Sequence, residues 1–374
     1  AAIIAEPTPL PSRPTVHRHY RPALLVALLL LVTVFGFALY QYQSVHRLRA
    51  IAVDMFYSMK ALELQVLDLQ QLVQAQLSAN EEDEALASTL TDYREALAAQ
   101  RQRLVELRQR YAEFMTRVNA ARLALDSEER LILRVARAFG ECDANAPEEF
   151  IAEVKRYIDL WQTTRRLPRA IQRLQANGYA PAIIRALKAR NLPPQFLYLA
   201  LQESEFRTEA VGPATDYGHA KGMWQFIPET GLRYGLNPGP RMGEKAYDPA
   251  DERHDFVKST RAAARYLSDL YRTEAQASGL LVMASYNWGE GNILSLLDSL
   301  PANPLQRNFW TLLQHHAIPR ETYDYVFYIV AAAAIGENPA LFGFEFENPL
   351  TGYDAPVLTS EWEGSRAARA GLEH

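Results

Sequence analysis

Cysteine is nearly absent from this chain, because Cys142 is the only one among 374 residues. A single thiol excludes an intramolecular disulfide and leaves no cysteine cluster for zinc. The chain also has little excess of one charge over the other, since 39 basic and 44 acidic residues leave a formal net charge of -5. Nucleic-acid binding calls for a concentrated basic face, so we expect no nucleic-acid partner. Nothing resembles a phosphate loop, a zinc-binding helix or a Ser-His-Asp set, so we expect no metal and no cofactor.

Alternating segments of β-branched residues are scarce throughout the chain, which disfavours a fold based on sheets. The apolar fraction of 48% and the charged fraction of 22% are those of folded protein, and the length indicates two or three structural units. We therefore expect a mainly α protein, with a transmembrane helix, a helical coiled-coil stalk and a compact helical domain.

An uninterrupted apolar run, ALLVALLLLVTVFGFALY, occupies residues 23–40. At 1.5 Å per residue it is about long enough to cross a hydrocarbon core of roughly 30 Å, and we interpret it as a transmembrane helix. The alternatives are a buried core helix and a cleaved signal peptide. The long preceding segment and the lack of a clear small-x-small cleavage site disfavour the signal peptide. Residues 1–22 contain five prolines and are predicted to form a Pro-rich linker.

The basic residues around this run set its predicted orientation. Arg13, Arg18 and Arg21 precede it, while Arg47 and Arg49 follow it. This modest positive-inside bias favours a cytoplasmic N-terminus, with the main body of the chain on the other side of the membrane.

Residues 44–135 have the pattern of a helical coiled-coil stalk or hairpin. Apolar positions recur there in alternating steps of four and three, as in coiled coils. A break at Ser78-Ala79-Asn80, followed by acidic residues suited to a helix start, indicates two helices. They either fold back as an antiparallel hairpin or pair with a second chain. In the second case the stalk is the contact for a homo-oligomer or an envelope-complex partner.

After Gly140 the regular spacing ends, and short helical patches alternate with Pro and Gly. Residues 140–347 are therefore predicted to form a compact, mainly helical domain. Residues 348–374 are predicted to be a C-terminal tail, whose last residues, Leu372-Glu373-His374, resemble the start of an expression tag.

Glu203 stands at the end of an apolar run within this domain. On a helix through Phe196 to Phe206, it shares one face with Phe196, Leu199 and Ala200. An apolar setting raises the pKa of a carboxyl group, and a raised pKa suits an acid that protonates a leaving oxygen near neutral pH. The alternative for an isolated segment is a helix-end carboxylate that a neighbour caps.

Four separate blocks of this domain, in the same order, resemble the lytic transglycosylases of family 1, most closely their D-type membrane-bound branch. The resemblance covers residues 147–345 and leaves out the membrane segment and the stalk. The matching blocks are Glu203-Ser204-x-Phe206 followed by Ala210, Gly222-Met223-Trp224-Gln225-x-x-Pro228-x-Thr230, Ser285-Tyr286-Asn287-Trp288-Gly289-x-Gly291 and Glu321-Thr322-x-x-Tyr325-Val326.

The resemblance implies a lysozyme-like helical domain that cleaves the β-1,4 bond between N-acetylmuramic acid and N-acetylglucosamine in the glycan strands of peptidoglycan. It also implies a 1,6-anhydro product and a single acid/base, Glu203, helped by the acetamido group of the sugar. The chain is then anchored by a single pass in the bacterial inner membrane, with its catalytic domain in the periplasm. The residues implied in substrate binding are Ser204, Met223, Gln225, Tyr286, Asn287, Glu321 and Tyr325.

The sequence departs from the family pattern beside these residues. The loop at residues 211–221 is longer than usual and has Gly212 where Ser is common, and Met223-Trp224 replaces Leu-Met. We expect this loop, including Asp216 and His219, to be solvated. The departures leave two alternatives open: a catalytically weak wall-binding or scaffold protein of an envelope assembly, and a muramidase that uses water.

Overall fold

The computed structural model describes residues 20–79, 84–121, 125–273, 275, 278–301, 303 and 305–353. The predicted linker up to residue 19 and the predicted tail from residue 354 onward lie outside these ranges. Within them helices dominate, and one two-stranded sheet is present. The expectation of a mainly α fold is therefore confirmed.

The first helix, α1 (Tyr20–Ala79), contains all of the predicted span at residues 23–40. It begins at Tyr20, inside the segment predicted to be the linker. A boundary between Ile51 and Ala52 divides the chain into two units, and α1 contributes to both. In the first unit, the side chains from Val26 to Tyr42 are exposed. Among the described helices, this is the one that is long and apolar enough to cross a membrane.

The second unit begins with the remainder of α1 and with α2 (Glu84–Ala121). The rings of Phe56 and Tyr111 lie 5.5 Å apart, and Arg108 lies 2.8 Å from Glu63. Glu63 follows Phe56 on α1, whereas its partner Arg108 precedes Tyr111 on α2. The two helices therefore run antiparallel over this stretch. Their buried apolar residues follow helical spacing. These are Ala52, Phe56, Met59, Leu62, Val66 and Val73 on α1, and Leu97, Leu104, Tyr111, Met115 and Val118 on α2.

Eleven further helices of the described residues, α3 to α13, build the domain that follows. The sequence pattern assigns part of α3 to the stalk, but in the structure its apolar face lies in the domain core. The helices are α3 (Ser127–Ala138), α4 (Glu148–Gln162), α5 (Arg166–Ala176), α6 (Tyr179–Lys188), α7 (Leu197–Ser204), α8 (Pro228–Arg233), α9 (Phe256–Leu270), α10 (Gly279–Trp288), α11 (Glu290–Leu297), α12 (Phe309–His315) and α13 (Arg320–Glu337).

Helix α13 is the centre of the domain and is buried on nearly all sides, in contact with α3, α4, α7 and α10. Small side chains let its neighbours approach closely. At Gly336 a Cβ atom would lie 1.7 Å from the hydroxyl of Tyr198 on α7, so glycine is required there. This close approach holds α7 against α13.

The one sheet in the described residues pairs β1 (Val211–Thr215) with β2 (Gly218–Lys221) in an antiparallel hairpin. Its register places Thr215 opposite Gly218 and Ala214 opposite His219. A solvated loop is expected at these residues from the sequence, whereas the structure forms a hairpin. Gly212 and Pro213 are residues that disfavour a strand. The turn is nevertheless possible because Gly218 adopts a φ of +91°, which suits a residue without a side chain.

Candidate functional site

Helix α7 carries Glu203 one residue before its end. The residues from Leu197 to Leu201 are all buried, so the helix lies inside the domain rather than on its surface. After Ser204 the chain leaves the helix through Glu205 and Phe206, both in the left-handed region with φ of 53° and 61°. The predicted helix thus ends earlier than Phe206, and its end holds the Glu203 side chain at a partly buried position.

The carboxyl group of Glu203 accepts a hydrogen bond from the hydroxyl of Tyr325 on α13, with 2.5 Å between the oxygens. Burial raises the pKa of Glu203 to about 7, and the bond from Tyr325 works against this rise. The negative charge of the exposed Glu321 adds to it. A carboxyl group with this pKa is protonated in a large fraction of molecules near neutral pH, as a general acid must be.

Tyr286, on α10, donates a hydrogen bond from its hydroxyl to the carbonyl oxygen of Trp224 at 2.8 Å. Burial raises the pKa of Tyr286 well above its usual value, and the charge of Glu203 raises it further. The same two influences raise the pKa of Tyr325. Both hydroxyls therefore stay protonated around the carboxyl group.

Asn287 and Glu321 lie on neighbouring helices of the site. The side-chain oxygen of Asn287 accepts a hydrogen bond from the hydroxyl of Thr322 at 2.8 Å, which joins α10 to α13. Glu321 precedes Thr322, and its side chain is exposed. Its charge acts on the pKa of Glu203, so the two carboxyl groups belong to one electrostatic environment.

Gln225 lies within the second motif block, in a tight turn. Its backbone has a φ of 49°, which is uncommon for a residue with a side chain and costs conformational energy. The side-chain nitrogen donates to the carbonyl oxygen of Gly222 at 2.7 Å. The turn therefore fixes the amide of Gln225 in one place, partly exposed beside β1.

Ser204 and Met223 differ from the other predicted binding residues because both are buried. The hydroxyl of Ser204 donates to the carbonyl oxygen of Met223 at 2.8 Å, and it accepts from the backbone nitrogen of Arg207 at 3.1 Å. Ser204 thus ties the end of α7 to the turn that precedes Gln225. In this structure the Ser204 side chain and the Met223 backbone form this link, and neither side chain is exposed for contact with a ligand.

Two tryptophans of this domain are buried, since Trp224 is 0% exposed and Trp310 is 5% exposed, so neither presents its ring to a ligand. The indole nitrogen of Trp224 donates to the hydroxyl of Thr260 at 3.1 Å, inside the core. Trp288 is partly buried.

Three charged residues form a buried clamp behind the Gln225 turn: Lys221, Asp251 and Arg253. Arg253 binds both oxygens of Asp251, at 2.9 and 2.6 Å, and donates to the carbonyl oxygens of His219 and Phe226. Lys221 donates to the carbonyl oxygen of Arg241 at 2.7 Å. Charged residues are usually found on the protein surface, so their residue types give no sign in the sequence that these three are buried.

No group of three or more His, Cys, Asp or Glu side chains within the described ranges is arranged to hold a metal ion.

Comparison with known proteins finds similarity over the residues that form this site. Residues 181–302 match the family model for the transglycosylase SLT domain, and this range includes Glu203, Gln225 and Tyr286. Among curated proteins, the chain is 33% identical over 170 residues to the membrane-bound lytic murein transglycosylase D of Escherichia coli (strain K12). The same identity holds for the protein of that name in Escherichia coli O6:H1. These matches cover 46% of this chain and 34% of each relative.

Proposed function

We propose that this chain is a lytic transglycosylase of peptidoglycan, because residues 181–302 match the transglycosylase SLT domain. The observation that carries the proposal is the partly buried carboxyl group of Glu203, with a pKa raised to about 7 and a tyrosine hydroxyl bonded to it. The bond to be cleaved is the β-1,4 linkage between N-acetylmuramic acid and N-acetylglucosamine.

In the first step, the protonated carboxyl group of Glu203 donates its proton to the glycosidic oxygen. The bond between that oxygen and C1 of the muramyl residue breaks, and the oxygen leaves as a hydroxyl group. The positive charge that develops at C1 is stabilised by the acetamido oxygen of the same sugar, so no second carboxylate is needed. We infer that the amide of Gln225 and the hydroxyl of Tyr286 orient that acetamido group.

In the second step, the Glu203 carboxylate removes the proton from the C6 hydroxyl of the muramyl residue. The oxygen at C6 then bonds to C1, which displaces the acetamido oxygen and gives the 1,6-anhydro product. The proton count closes because Glu203 ends the cycle as it began, protonated. Tyr325 stabilises the carboxylate between the two steps, because its hydroxyl donates to the charged form.

We propose that α1 anchors this activity in a bacterial inner membrane by a single pass, with the N-terminus in the cytoplasm and the domain in the periplasm. The exposed apolar side chains from Val26 to Tyr42 support the membrane contact. The distribution of Arg residues around the span supports the orientation. A partner at the α1–α2 hairpin, either a second copy or an envelope complex, stays a prediction.

The test is a digest of purified peptidoglycan with the detergent-solubilised chain, followed by mass analysis of the released muropeptides. We expect 1,6-anhydro ends, and we expect Glu203→Gln to lower the rate by at least about a hundredfold, as removal of a general acid does. Glu205→Gln is the matched control. Glu205 lies two residues away and pairs with Arg166 at the surface, so this variant should keep its activity.

Each other outcome would replace the proposal. Reducing ends would show a muramidase that uses water. No released product from the parent chain would favour the catalytically weak wall-binding protein. Unchanged activity in Glu203→Gln would remove Glu203 from the role of acid.

A further inference from the structure

The hairpin β1–β2 ends in a tip whose shape is fixed by its own hydrogen bonds. The hydroxyl of Thr215 donates to the carbonyl oxygen of Gly218 at 2.7 Å and accepts from the backbone nitrogen of Tyr217 at 3.2 Å. A ring nitrogen of His219 lies 2.9 Å from the carbonyl oxygen of Gly212 on the opposite strand. The tip therefore presents Tyr217 from a defined turn.

The base of the hairpin is held by the buried clamp. Arg253 donates to the carbonyl oxygen of His219, in β2, at 2.8 Å, and Lys221 ends β2 with a side chain that is 0% exposed. At Gly222, just after the strand, a Cβ atom would lie 1.7 Å from the carbonyl oxygen of Arg253. A hairpin with a base this closely packed keeps its direction relative to the domain.

The hairpin lies directly beside the Gln225 turn. A Cβ atom at Gly212 would be 2.8 Å from the side-chain oxygen of Gln225, and one at Gly218 would be 3.2 Å from Pro228. β1 therefore borders the position of Gln225, and the tip lies next to the start of α8.

The side chain of Tyr217 is 68% exposed at this tip. Two further large apolar side chains, Met242 at 47% and Tyr247 at 50%, are exposed on the loop that Lys221 ties to the hairpin through Arg241. The contact between Lys221 and Arg241 joins that loop to the base of the hairpin, whereas Tyr217 stands at the tip. An exposed aromatic ring on a closely packed hairpin that borders a binding site is suited to contact with a ligand.

We propose that Tyr217 forms an outer carbohydrate subsite, in which its ring packs against the apolar C–H face of a sugar of the glycan strand. This sugar lies farther along the strand than the two sugars that flank the scissile bond. The inference rests on the proposed function, because that function supplies a strand passing Gln225. The extra residues of the loop at 211–221 then select for long strands by adding a contact that short strands do not reach.

Binding can be measured without cleavage in the full chain carrying Glu203→Gln. The probes are peptide-free glycan strands, some so short that they fill only the subsites beside Glu203 and others several times longer, titrated by calorimetry. In this background Tyr217→Ala should reduce the ratio of long-strand to short-strand affinity by about tenfold. Removing an aromatic side chain on which a ligand ring stacks typically costs this much or more. Tyr217→Phe should keep the ratio, because it keeps the ring.

Tyr93→Ala is the matched control, since Tyr93 is another exposed tyrosine but lies on α2. It should leave the ratio unchanged. An unchanged ratio in Tyr217→Ala would overturn the subsite, as would an equal loss for both strand lengths or no strand binding by the Glu203→Gln parent. The digest by the chain with Glu203 intact decides the proposed function separately.

Discussion

The Tyr325 hydroxyl is the one contact of Glu203 that opposes its raised pKa, because the bond favours the charged form. Removing it in Tyr325→Phe should therefore raise the pKa of Glu203 above about 7. A hydrogen bond to a charged group is worth about 1.5 kcal/mol or more, which corresponds to an upward shift of about one unit.

The measurement is the rate of anhydro-muropeptide release as a function of pH. The first step needs protonated Glu203, so the rate falls as the pH rises through this pKa, and in Tyr325→Phe the midpoint of that fall should move to higher pH. Tyr323→Phe is the matched control, because Tyr323 lies on the same helix and its ring packs on Phe327. A midpoint that moves to lower pH or stays in place would contradict the role of Tyr325.

Among the elements, the hairpin β1–β2 depends on a charge cluster that has no access to water. The side chains of Lys221, Asp251 and Arg253 are all 0% exposed. Asp251→Asn would leave two buried cations without their carboxylate, and removing one partner of a buried pair typically costs about 3–5 kcal/mol. We expect a loss of unfolding free energy of that size, measured by urea unfolding with tryptophan fluorescence in detergent solution.

Glu244→Gln provides the comparison for this change. Glu244 pairs with Arg241 at 2.8 Å, but their side chains are 59% and 50% exposed. An exposed pair contributes roughly 0–1 kcal/mol, so this variant should unfold almost as the parent does. If the two variants lost similar amounts of unfolding free energy, the burial of the clamp would not be the reason that it stabilises the domain.

The sequence predicted those elements whose signal is local. The spacing of seven residues that places Leu97, Leu104, Tyr111 and Val118 on one face of α2 is a property of the helix itself, and all four are buried. The clamp could not be predicted in this way, because Lys221 and Asp251 meet only after the chain has folded. Charged side chains at such separations carry no periodic signal.

In the candidate site, too, local features could be predicted from the sequence and contacts between distant residues could not. The position of Glu203 after an apolar run predicted a raised pKa, and the structure gives that direction. Tyr325 was predicted as a site residue only from the family resemblance. Its hydrogen bond to Glu203 joins residues 122 positions apart, which no local pattern indicates. The hairpin at 211–221 was missed because Gly and Pro lower strand propensity, whereas the contacts that hold it come from residues 251 and 253.

At the scale of the whole molecule, the orientation across the membrane decides which side holds the N-terminal segment and which side holds the domain. The single cysteine makes a direct test possible, because Cys142 is buried and Cys142→Ser leaves a chain without thiols. Single cysteines can then be placed at Asp216, which is exposed at the hairpin turn, or at Ser12, before α1. The reagent is a maleimide that does not cross the inner membrane.

If the domain lies in the periplasm, Asp216→Cys reacts in cells whose outer membrane alone has been made permeable. Ser12→Cys then reacts only after the inner membrane is broken, because the Arg residues before the span hold that segment in the cytoplasm. The two positions control for each other, since each reports one side. Labelling of Ser12→Cys in intact spheroplasts together with protection of Asp216→Cys would reverse the orientation. It would also contradict the proposed function, because peptidoglycan lies outside the inner membrane.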